Sequence, residues 1–301
     1  MPSGYSVSVW LMFFYIYCFF GWCIESTYVS VFCEHRWVNR GFLTGPMLPL
    51  YGSGALVILL STLPVRDNPA LTGLVGMAAS TLLEYVTGVT MEAVFKVRYW
   101  DYSKHRFNFQ GHICLSSSLA WGLLSVLLVE VVQKPVAELV MMIDASVRRL
   151  AVLGISVVFT VDATHSVITA IDLKRLLAWL DGARSEMEKI QARMEAIEGQ
   201  LAEEYHLRRD QLQEGLRARR NELTDGIRQR GGQLADSVKA RQEQLQQEME
   251  SLKEKQELFR RWAAERFSPD KRRLLRGNPD ALSHSYREAL NHLREWMKRG
   301  Q

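Results

Sequence analysis

The 301-residue chain contains no Gly-x-x-x-x-Gly-Lys-Ser/Thr loop, which excludes a phosphate-loop nucleotide-hydrolysing site. Cysteine is scarce: Cys18, Cys23, Cys33 and Cys114 are the full set, and none stands in a Cys-x-x-Cys or Cys/His zinc spacing. No metal site and no disulfide is therefore expected, and the four read as small apolar packing residues. No nucleic-acid module is recognisable, and no residue pattern calls for a cofactor. Charge is scarce in only one half. Residues 1–172 hold 10 Lys+Arg and 11 Asp+Glu, leaving 27 and 22 of the totals of 37 and 33 for the rest, so the front carries −1 and the tail +5. That excess is small and interleaved with acids, which argues against a nucleic-acid partner.

What the front half does have is long apolar runs. A hydrocarbon core about 30 Å thick needs about 20 apolar residues per helix. Five windows answer that description: Val7 to Phe32, the shorter Leu48 to Leu63, Ala70 to Phe95, Ile113 to Val132, and Leu150 to Ile171, the last the weakest. The first lacks a basic leader and a small-residue cleavage site and is too long for a signal-peptide core, so it reads as a retained span. The expected fold is all-α, a polytopic helical membrane bundle of about five spans (1–172), followed by a long, coiled-coil-like helical rod (173–265) and short C-terminal helices (266–301).

With five spans, the 33–47 loop, the 96–112 loop and the start of the tail share one face and carry eight Lys/Arg, against four on the other face. The positive-inside rule then places the N-terminus outside and the tail in the cytoplasm, with the lipid bilayer as first partner.

The tail repeats every eleven residues from Ile190. The first position reads Ile190, Leu201, Leu212, Leu223, Leu234, Leu245 and the fifth Met194, Tyr205, Leu216, Ile227, Val238, Met249. Eleven residues make 3.67 per turn, a nearly straight or slightly right-handed stripe. A seam this narrow suits helix-on-helix pairing, most simply with another copy, better than it suits burial in lipid. Gly231 and Gly232 weaken one turn and suggest a hinge or a hairpin. Ser268-Pro269-Asp270 and Asn278-Pro279-Asp280 each look like a cap followed by Pro at the first helical position.

Carboxylates inside the apolar windows carry whatever chemistry there is, because each costs roughly 2.5 to 3.5 kcal/mol on insertion. Glu25 lies two turns from the end of the first window; Glu92 is near the same end of the third, with Glu84 two turns deeper. They can converge on a polar pocket open to the cytoplasmic side. Two loops can close over it, one with Asn39-Arg40-Gly41-Phe42 and Gly45-Pro46, the other with Tyr99-Trp100-Asp101-Tyr102-Ser103 and Asn108. Pro49, Gly52 and Gly54 break the start of the second window around Tyr51, as in many transporter binding sites. The alternative is that the Glu residues are protonated glue between helices. Asp162 and His165, one turn apart, suggest a proton relay or half a metal site, or a plain packing pair.

Several ordered motifs also carry a resemblance: Gly21-Trp22 with Glu25, Asn39-Arg40-Gly41-Phe42-Leu43, Gly45-Pro46, Pro49, Tyr51-Gly52, Glu84-Tyr85, Met91-Glu92, Trp100-Asp101-Tyr102-Ser103, Phe107-Asn108, Gly111 and Trp121-Gly122. Over about residues 8–135 the chain resembles the bacterial membrane-protein family named putative ABC-transporter permease, type IV. It departs at Leu48, where the family usually has Cys, and at His112, where it often has Arg. The resemblance implies transport in a bacterial plasma membrane, with ATP hydrolysis supplied by a separate ATPase subunit. Together with the pocket read from the carboxylates and loops, the first reading is a permease-like subunit that binds a polar or cationic solute through Glu25, Asn39, Arg40, Tyr51, Glu84, Glu92, Trp100, Asp101, Tyr102 and Asn108. An intramembrane or lipid-modifying enzyme and a membrane-anchored scaffold are the other readings.

Overall fold

A computed structural model describes residues 4–218 and 225–299. The chain divides into two compact units, Met1–Leu177 with Ser268–Gln301, and Ala178–Phe267. The terminal segment from 268 onward, expected as a separate region, thus belongs with the membrane-type bundle.

The first unit is built from α1 (Val7–Cys33), α2 (Pro49–Ser61), α3 (Pro69–Phe95), α4 (Leu115–Met142) and the start of α5 (Ala145–Ala218). α1 and α4 each contain a π-helical turn, at Val29–Cys33 and Leu128–Val132. Four of these helices are long and apolar enough to cross a membrane; α2 is not. Its 13 residues span about 20 Å at 1.5 Å each, short of the hydrocarbon thickness. Residues 38–48 run back beside α1, with Val38 N donating to Ser30 Oγ, Arg40 N to Ser26 Oγ and Leu48 N to Cys18 O. A non-helical stretch packed against a helix needs partners for its backbone, and α1 hydroxyls and carbonyls supply some of them.

The close approach of α2 to α1 depends on Gly52, where a side chain would meet Phe14 O at 2.6 Å and the Cys18 sulfur. Gly41, at φ 120°, turns the returning segment in a way a larger residue would resist. α3 is polar or small on its buried face and apolar outside. Thr72, Gly76, Ser80, Glu84 and Gly88 recur every four residues on the buried side, while Leu74, Leu82 and Val86 are exposed. Small residues let α3 and α4 approach closely, as helices do in lipid, where apolar surface gains nothing by leaving the solvent.

The two ends of this unit carry different segments. Arg148 at the start of α5 meets Ser8 and the carbonyls of Val140 and Ile143 at one end. At the other, α7 (Pro269–Gly277) and the chain leading to α8 (Arg287–Arg299) lie on the loops after α1 and α3. α7 starts at Pro269 as the sequence suggests, but Asn278-Pro279 does not open a helix. Asn278 ends α7, its amide donating to Leu274 O and Gly41 O, and Leu282 forms an antiparallel bridge with Arg98. Those longer-range bonds hold residues 278–286 out of helical conformation until α8 begins.

The second unit comprises the rest of α5 and α6 (Asp225–Arg266). Ile197 on α5 packs with Leu245 and Met249 on α6, flanked by Met194 and Leu252. Arg193 Nε pairs with Glu248 Oε1 at 2.7 Å, and Trp179 stacks on Phe259. At these positions the eleven-residue seam is covered by the return of its own chain. Gly231 and Gly232 fall inside α6, so helix continues where a hinge was suggested. Leu223 of the seam lies outside the described residues, as do the side chains of Leu201, Tyr205, Leu212, Leu216, Ile227, Leu234 and Val238.

Candidate functional site

Glu25, Glu84 and Glu92 are held in two clusters. In the first, Glu84 on α3 is buried and accepts from Tyr102 Oη (3.2 Å), Ser117 Oγ (3.3 Å) and Trp121 Nε1 (3.1 Å). All three donors are neutral, and no cation lies within ion-pair distance of Glu84 among the described residues. Trp121 packs against Tyr51, ring centroids 5.4 Å apart. Tyr51 Oη donates to Glu25 Oε1 at 2.8 Å, and Arg40 Nε lies 3.6 Å from Glu25 Oε2. Glu25, Tyr51, Trp121, Glu84 and Tyr102 thus form one continuous polar path through α1, α2, α3, α4 and the 96–114 loop.

The second cluster surrounds Glu92, two turns along α3. Arg98, buried, donates to Glu92 Oε2 from Nη2 (2.7 Å) and Nε (3.0 Å), and its Nη1 reaches Asp101 Oδ1 at 3.2 Å. His112 Nε2 is 3.1 Å from Glu92 Oε2, and His284 Nδ1 is 2.9 Å from Glu92 Oε1. Burial alone would raise the Asp101 carboxyl, but hydrogen bonds from Ser103 and Arg98 hold it below the usual range. Burial, followed by the Arg98 charge, lowers His112 despite Glu92 beside it, and burial raises the Tyr102 phenol.

The remaining expected residues support the loops. Asn39 accepts from Trp22 Nε1 at 2.6 Å and donates to Thr44 O, stitching the returning segment to α1. Trp100 Nε1 donates to His112 O, and Asn108 bonds Ser103 O, His105 O and Gly111 N beside a two-stranded hairpin, β1 (Asn108–Phe109) and β2 (Ile113–Cys114). Asn108 is exposed and touches neither cluster. Asp162 accepts from Thr44 N (3.0 Å) and Gly45 N (2.8 Å), and His165 pairs with Asp270 instead of with its helix neighbour. The arrangement gives Asp162 the task of satisfying the returning backbone.

Sequence reasoning missed Arg98, Ser117 and Trp121 as donors to the carboxylates, and the contacts that residues 278–286 of the terminal segment make with the loop after α3. Ser283 Oγ donates to Lys96 O at 2.6 Å, Leu282 and Arg98 exchange backbone hydrogen bonds, and His284 sits on Glu92. Nothing in the local pattern of residues 278–286 signals a partner nearly 200 positions earlier. Arg98 was legible in principle, six residues after Glu92 in a short loop.

These features define a polytopic helical membrane protein with a buried carboxylate, Glu84, and a returning, non-helical segment beside α1. The family described as Putative ABC-transporter type IV is matched over residues 12–167, more than half of the chain, and the chain belongs to that family. No curated protein and no solved structure matches it.

Proposed function

We propose that this is a permease-like membrane subunit that binds a polar or cationic solute at the Glu25–Tyr51–Trp121–Glu84 cluster. The observation that carries the reading is the contrast in counter-charge: Glu92 is neutralised by Arg98 and Glu25 lies near Arg40, whereas Glu84 meets only neutral donors. A buried carboxylate without a cation is expensive, and a cationic or hydrogen-bonding ligand would offset that cost. The returning segment and Gly52 keep the backbone near Tyr51 and Glu25, the kind of broken helix from which transporter sites are built.

In this reading the end carrying the loops and the terminal segment faces the cytoplasm, consistent with its Lys/Arg excess. ATP hydrolysis is supplied by a separate subunit, and the second unit associates with another copy or docks a cytoplasmic partner.

The test is binding and uptake by the purified, reconstituted protein across a panel of cations and small polar metabolites. Glu84→Gln is expected to lower affinity for the true solute tenfold or more, about 1.4 kcal/mol or above. Equal binding by wild type and a normally folded Glu84→Gln would leave the carboxylates as helix-to-helix glue.

A further inference from the structure

A cleft of about 460 Å³ lies between the chain that follows α1 and the helix α7, and no carboxylate of either cluster lines it. Its walls include Arg36, Trp37, Asn39, Arg272, Arg273 and Arg276, and none of the nine lining residues is acidic. The sequence of α7 explains the concentration. Leu274 and Leu275 are buried against the bundle, and Arg272 and Arg276, four residues apart, share one face.

We propose that this cleft binds a phosphate-bearing anion, supplied by a lipid headgroup or by a soluble phosphate compound. Arg273 is the anchor. Its Nη1 donates to Leu43 O at 2.8 Å, while Nε and Nη2 are buried without a hydrogen-bond partner. A guanidinium has a fork of donors that matches phosphate oxygens, and leaving two such donors unmet in the interior is costly. Three carboxylates lie near these arginines: Glu34 pairs with Arg36 at 3.0 Å, while Asp162 and Asp270 attract the Arg273 charge from nearby but give their hydrogen-bonding oxygens to the amides of Thr44 and Gly45 and to His165. Ser268 makes no side-chain cap at the start of α7, and the adjoining Pro269 lines the cleft, so the helix presents its uncapped N-terminal end there. Trp37, 70% exposed just beyond the end of the first span, marks the depth at which aromatic residues meet headgroups.

The full-length protein would be placed in nanodiscs of phosphatidylcholine with and without phosphatidylglycerol, and retained lipid counted by native mass spectrometry. In parallel, the detergent-solubilised, delipidated protein would be titrated with inorganic pyrophosphate and followed by thermal shift. Arg273→Gln is compared with the double variant Arg272→Gln/Arg276→Gln, whose side chains are exposed and whose fold should persist. Affinity is expected to fall roughly fivefold for each arginine removed. Phosphatidylglycerol retained by wild type and lost from the variants identifies a lipid headgroup, whereas a pyrophosphate-dependent shift seen only in wild type identifies a soluble phosphate. Binding that the substitutions leave unchanged, or no binding of either probe by wild type, overturns the site. Glu25 and Glu84 do not line the cleft, so this result is independent of the solute-binding reading.

Discussion

Glu84 and Glu92 occupy the same helix two turns apart, yet one is surrounded by neutral donors and the other by a guanidinium and two imidazoles. The difference separates two uses of an acid on one helix. At Glu92 the charge is already compensated and ties α3 to its following loop and to the terminal segment; at Glu84 compensation is incomplete and a ligand has something to gain. The largest effect is therefore expected from Arg98→Met, which leaves Glu92 and Asp101 without their cation. Breaking a buried pair from one side costs about 3–5 kcal/mol, and thermal unfolding in detergent should show it. Adding Glu92→Gln to Arg98→Met should recover part of the loss. If Arg98→Met were no less stable than Glu84→Gln, the two acids would not differ in the way their neighbours imply.

A smaller effect is expected at Glu84 itself. Trp121→Phe removes one of its three donors and leaves Tyr102 and Ser117 in place. The expected loss is about 1 kcal/mol, read from the same unfolding curves. Solute affinity should fall alongside, because the Tyr51–Trp121 pair joins Glu25 to Glu84. A stable Trp121→Phe variant with unchanged solute binding would separate the two carboxylates into unrelated features.

Much of the bundle was legible because the membrane imposes a length and a polarity on its helices. The windows beginning near Val7 and Ala70 match α1 and α3 within a few residues. The window from Leu48 was read as a short span, and it resolves into a helix of 13 residues preceded by returning chain. Pro49 and the glycines signalled the break, but hydropathy does not distinguish an apolar segment that crosses as helix from one that crosses partly extended. Glu25, Glu84 and Glu92 stood out for their cost in lipid, whereas the donors that meet them did not. Ser117 and Trp121 are ordinary residues of an apolar helix until the fold sets them against α3. The terminal segment was least legible, since Asn278-Pro279 has the local chemistry of a helix start and loses to bonds with Gly41 and Arg98.

The mildest perturbation of the Glu92 side is a change of pH, through His112. Its imidazole lies below the ordinary value of 6.5 because burial and Arg98 outweigh the attraction of Glu92, with His284 adding to the first and Asp101 to the second. A histidine with a lowered folded pKa binds its proton more readily when unfolded. The stability it contributes is therefore fully present above about pH 6.5 and is lost as pH falls through that value toward the lower folded one. His112→Gln should flatten the dependence of unfolding temperature on pH between about 7 and 5, while leaving the wild-type and variant curves parallel above that range. A wild-type protein that gained stability on acidification through this window, with the gain abolished by His112→Gln, would mean that Glu92 prevails over Arg98 at the imidazole and that the second cluster is a charged triad instead of a compensated pair.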